Sequence, residues 1–169
     1  MQEHFDALLT RLKESDVASS DDLVGCTSRE IARLEARYSI ALPKSYRWYL
    51  STMGKRSGRL FTHDHMAVYF DHVFEMTDQL RREAIDDPDE PYVELPDDAL
   101  VIAGRLAEQY QFIRCGDSMD SPVWYFNEYD YEIVVSCSSV LDWLNSYCDL
   151  AEQAIANGYF DIYPEGTTP

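Results

Sequence analysis

The order in which apolar spacing changes along the 169-residue chain constrains its fold more than any other feature. Phe5, Leu8, Leu9 and Leu12 fall at i, i+3, i+4 and i+7, one face of a helix, and the polar stretch from Ser15 to Gly25 reads as a loop. Thr27-Ser-Arg-Glu30 is a capping box, in which hydroxyl and carboxylate satisfy reciprocal backbone donors; it predicts a helix with Ile31, Leu34 and Tyr38 inside. Pro43 costs no hydrogen bond at a first helical position, so a third helix begins there, faced by Tyr46, Tyr49, Leu50 and Met53, with Gly54 suited to its C-cap. The pattern then changes. Met66–Phe70 alternates weakly, as a strand does, and Val73, Met76, Leu80 and Ala84 predict a short helix. Leu100–Ala103 and Tyr110–Arg114 are β-rich, and Pro122–Phe126 and Tyr131–Val135 flank the short polar turn Asn127–Asp130, which reads as an antiparallel hairpin. Ser139-x-x-Asp142 is a capping box with Asp in place of the usual Glu or Gln. It opens a closing helix faced by Val140, Leu144, Tyr147, Ala151 and Ile155, which Gly158 can stop.

Helices first, strands next and one helix last predict an α+β fold: an antiparallel (or mixed) sheet of about five to six strands flanked by N-terminal helices and one C-terminal helix. The length suits one domain over residues 1–169, with 159–169 as a tail, and no internal repeat or linker divides it. A composition 46% hydrophobic supports a packed core without disulfides, so Cys26, Cys115, Cys137 and Cys148 read as free thiols of a reducing compartment; spacing alone leaves a disulfide open. No basic and apolar leader opens the chain and no apolar run reaches a membrane span, so the expected location is cytoplasmic.

The 31 acids and 14 bases leave a net charge of −17, and they are segregated. Residues 1–65 are nearly neutral, whereas no Lys or Arg follows Arg114. Such a surface repels nucleic-acid backbones and anionic lipid, and it steers basic partners. The densest patch runs from Asp86 to Asp98 and includes Asp87, Asp89, Glu90, Glu94 and Asp97 among three prolines. It reads either as a solvated connector or as an acidic arm that grips a basic surface. A second group, Asp117, Asp120, Glu128, Asp130 and Glu132, surrounds the aromatic strand Trp124-Tyr-Phe126. There Trp124 and Phe126 share one face, and aromatics beside acids suit a cationic partner; the alternative is a sheet with core aromatics and solvated turns.

Catalytic patterns do not emerge. No nucleophile elbow or phosphate-binding loop is present, and the 31 carboxylates are too many for any pair to be singled out. His63-Asp-His65 with Asp71-His72 could ligate a metal, but ordinary loop histidines explain them as well. The expectation is no enzyme, no cofactor and no metal.

The segments Glu30-Ile-Ala-Arg-Leu-Glu35, Ile40-Ala-Leu-Pro43 and Tyr46-Arg-Trp-Tyr-Leu50 up to Gly54 resemble the N-terminal signature of the SUKH superfamily, the Smi/Knr-type fold. Leu100–Ala103, Tyr110–Cys115, the aromatic triplet and Ser138-Ser-Val-Leu-Asp-Trp-Leu144 are similar to its later strands and terminal helix, so the resemblance covers about residues 27–147. Two loops depart from it: Gly54–Gly58 replaces the usual Asn-Gly-Gly, and Gly104–Glu108 replaces a Gly-Asp-Gly. The resemblance implies a bacterial immunity protein that neutralises a cognate basic toxin domain, such as a nuclease, without catalysis. The alternative it implies is a regulatory adaptor that binds a housekeeping protein. Either way the expected contacts are the acids of 86–98, Asp117, Asp120, Trp124, Glu128, Asp130 and Glu132, with no expectation for oligomeric state.

Overall fold

The computed structural model describes residues 2–61, 66–86, 95–106, 108–127 and 132–162. The fold is α+β, as the order of periodicities predicts. Along the chain run α1 (Gln2–Glu14), β1 (Leu23–Val24), α2 (Ser28–Tyr38), α3 (Lys44–Met53), β2 (Arg56–Ser57), β3 (Met66–Ala67) and α4 (Phe70–Asp86). Then come β4 (Ala99–Arg105), β5 (Gln109–Arg114), β6 (Val123–Asn127), β7 (Ile133–Cys137), α5 (Val140–Ala156) and α6 (Tyr159–Ile162). β3 to β7 form an antiparallel five-stranded sheet in sequence order, and β1 pairs with β2 apart from it.

The caps work much as their residues dictate. Thr27 Oγ1 accepts from the Glu30 N–H, and the Glu30 carboxylate accepts from the Thr27 N–H at 2.8 Å. Pro43 is the N-cap of α3, one residue ahead of its first turn, and the N–H groups of Lys44 and Ser45 donate to the carbonyls of Ser118 and Met119. At Gly54 the backbone is right-handed, so glycine is required by space: a Cβ would lie 2.7 Å from the Leu50 carbonyl oxygen. Ser139 caps α5 by accepting from the Asp142 N–H, but the Asp142 carboxylate accepts from the Ser138 hydroxyl rather than closing a box on Ser139.

The sheet separates two apolar layers. On one face Leu100, Ile102, Ala103, Ile113 and Val123 join α1, α2, α3 and α5 in the main core. Trp143 is fully buried there against Tyr49, Phe61 and Tyr147, and its indole N–H donates to Gln111 Oε1 at 2.7 Å. A bulge between Val101 and Ala103 turns Ile102 and Ala103 to the same side, so β4 feeds this core with adjacent residues. The opposite face carries Ala99, Val101, Tyr110, Phe112 and Phe126, closed over β4 by Met76 and Leu80 of α4. Gly104 permits that approach, since a Cβ there would lie 2.5 Å from Met76 Sδ.

Three expectations are corrected. The stretch from Ser15 to Gly25 is not all loop: it holds a 3-10 turn at Ser20–Asp22 and β1, and Val17 and Ala18 are buried. The Arg59 N–H fastens it to the Val17 carbonyl at 2.8 Å. The helix after residue 70 spans 17 residues rather than a short run. The expected tail begins with α6, because Phe160 is buried with the Arg59 guanidinium 4.9 Å from its ring centre.

Candidate functional site

The strand register decides which of the expected contacts lie together. Val123 opposes both Ile113 and Cys137, and Ala99 opposes Arg114, so one end of the sheet gathers the start of β4, the β5–β6 loop and the end of β7. Asp97, Asp98, Asp117 and Asp120 belong to that end. Glu132 precedes β7 at the other end, about 14 Å away along a five-residue strand. Glu132 is therefore separate from the other four acids, with the length of the β6–β7 hairpin between them.

Those four acids differ in what they hold. Asp98 pairs with Arg114 at 2.5 Å, and Asp117 is exposed. Asp120 is a fastening within the fold. Its Oδ1 accepts from the Ser45 hydroxyl at 2.6 Å, the Ser121 N–H at 2.8 Å and the Val140 N–H at 3.0 Å, joining α3 and α5 to the β5–β6 loop. Asp87, Asp89, Glu90, Glu94, Glu128 and Asp130, with His63 and His65, lie outside the described residues, as does the side chain of Asp86.

Trp124 faces the layer under α4, opposite Phe112 and stacked on it with ring centres 6.4 Å apart. It is half-buried, and its indole N–H has no hydrogen-bond partner among the described residues. From it the apolar rows of that face run outward: Phe112–Trp124–Val135, and Tyr110–Phe126–Ile133. They begin beneath α4 and emerge at β7. There Ile133 is 39%, Val134 46% and Val135 52% exposed, with Val134 on the opposite face beside Tyr125. Among the described residues no strand pairs with the outer edge of β7.

Sequence reading missed this trio. Three consecutive β-branched residues without alternation read as a strand buried on both faces. The signal that could have found it is position: the last strand of a run of hairpins is followed by a helix, not by another strand, and so lies at an edge.

The remaining candidates for chemistry are quiet. All four cysteines are free thiols. Burial pushes Cys26 and Cys148 up to about 11 and Cys115 up to about 12, which keeps them protonated at neutral pH. His72 is exposed on α4, with Nδ1 3.6 Å from Glu75 Oε2. Among the described residues no three His, Cys, Asp or Glu side chains are grouped to hold a metal ion. No described helix is long and apolar enough to cross a membrane.

The bases lie in the first two thirds of the chain, and some of them meet the acids in space: Arg114 holds Asp98, and Arg11 pairs with Glu152 of α5. Arg11, Arg37, Arg47, Lys55 and Arg114 are each paired with a carboxylate, and the elements after Arg114 contain no Lys or Arg. These features define a class: an α+β fold with one antiparallel sheet, helices over both faces of its inner strand, and an open apolar last strand set in an acidic half. Residues 25–146 match the model of the SMI1 / KNR4 family (SUKH-1), and the chain belongs to that family. No curated protein matches it.

Proposed function

We propose that this chain is a non-catalytic immunity protein that binds a cognate toxin domain of basic surface and covers it. The observation that carries the reading is the segregation of charge: ten acids and no base follow Arg114, in the elements that include the exposed hairpin. A nuclease-type toxin needs a basic surface to hold nucleic acid, and an acidic protein can occupy that surface as a polyanion. In this reading the acids set association rate and orientation, while Trp124 and its apolar neighbours set residence time. The contacts are the acids of 86–98, Asp117 and the hairpin acids around Trp124; Asp120 contributes by holding the hairpin in place. SUKH-1 membership supports a protein as partner. The test is co-purification from the native host followed by association kinetics at rising salt. One basic toxin domain is expected to be recovered, and its association to slow steeply as salt rises to about 1 M. Association that ignores salt would remove the electrostatic basis of the reading.

A further inference from the structure

Resting on that reading, we propose that β7 is a docking edge at which the partner adds a strand: an extended segment with an apolar centre and Lys or Arg at both ends. Three observations converge. Ile133, Val134 and Val135 are 39%, 46% and 52% exposed and face both sides of the sheet, so a strand laid beside β7 finds apolar neighbours above and below it. Among the described residues the outer edge of β7 is unpaired, and β7 itself carries no charged residue or proline of the kind that protects exposed edges. Both ends of the strand carry carboxylates: exposed Glu132 directly precedes it, and exposed Asp142 is held by the Ser138 hydroxyl directly after it.

Those charges choose the occupant. A second copy pairing edge to edge would set Glu132 and Asp142 of one chain against those of the other, with a net charge of −17 on each. A strand with cationic ends places opposite charges at both positions. Main-chain hydrogen bonds then supply affinity, and the apolar centre continues the rows that begin at Phe112 and Tyr110.

The probe is a synthetic peptide, Lys-Lys-Val-Thr-Val-Thr-Val-Lys-Lys, added to the full chain. Its control is the same peptide N-methylated at the five central residues, which keeps charge and side chains but cannot donate backbone hydrogen bonds. The expected result is slowed exchange of alternate amides within 133–137 and binding about tenfold or more weaker for the methylated peptide. Substituting Val134→Lys together with Val135→Lys is expected to abolish binding while circular dichroism and Tm hold. Equal binding of the two peptides would overturn strand addition yet leave the acidic-surface reading standing. So would failure of both peptides to bind while the basic toxin domain still binds. A concentration-dependent dimer that the double substitution abolishes would assign the edge to a second copy and overturn the proposal.

Discussion

At the residue scale, the decisive groups are polar atoms at buried places. Asp120 stands among the surface acids in the sequence, yet its Oδ1 gathers three donors, from α3, α5 and its own loop, because the β5–β6 loop brings it between the N-termini of α3 and α5. Tyr46 is the opposite case. It is fully buried, its hydroxyl has no hydrogen-bond partner among the described residues, and burial pushes its pKa well above the ordinary value. An unpaired buried hydroxyl is a cost without a return. Tyr46→Phe is therefore expected to leave stability unchanged or to raise it by about 1 kcal/mol, as read by urea unfolding. A loss of that size would show that the hydroxyl has a partner. Neither role is legible in sequence, since residue type and spacing do not say which atoms share an enclosed space.

At the element scale, the N-terminus of α2 makes a pH-dependent contribution. The Glu30 carboxylate pairs with Lys55 at 2.7 Å and accepts from the Thr27 N–H and hydroxyl, which holds its pKa at about 2 against an ordinary 4.5. A carboxylate depressed on folding stabilises fully above its unfolded value and loses that contribution as pH falls through the folded one. Glu30→Gln keeps the geometry of a capping box but removes the charge. The stability advantage of the parent over Glu30→Gln is expected to be constant above pH 5 and to shrink between about 4.5 and 2. Urea midpoints at pH 6 and pH 3 check this, and an unchanged difference would exclude the ionic link. The capping box, the apolar faces of α1 to α3 and the hairpin were all legible because each is local: hydroxyl, carboxylate and period fall within a turn or two. The closing helix was legible in part, since Trp143 and Cys148 widen its buried face beyond the single stripe that the spacing predicts. β1, β2 and α6 were not legible; each is short and exists only through pairing or packing with distant residues.

At the scale of the whole molecule, charge opposes folding. With 31 acids against 14 bases, carboxylates outnumber the cations available to pair with them, and their mutual repulsion is relieved by unfolding. Raising NaCl from about 0.02 to 0.5 M at pH 7 is expected to raise Tm by screening that repulsion more than it weakens the exposed ion pairs. A falling Tm would show that the pairs of Arg37, Arg47 and Lys55 outweigh the excess. The same field sets what the surface attracts, so stability and recognition depend on salt in opposite directions: screening steadies the fold and slows the approach of a basic partner.

Alone, the sequence determined the α+β order, the capped helices, the hairpin and the acidic half, because periodicity, caps and charge are written in adjacent residues. The tertiary structure decided which apolar residues are core and which are surface. Ile133, Val134 and Val135 have the composition of a buried strand, but a sheet must end somewhere, and strand order places that end at β7. Burial depends on what lies across the sheet, and no local pattern in the chain contains that information.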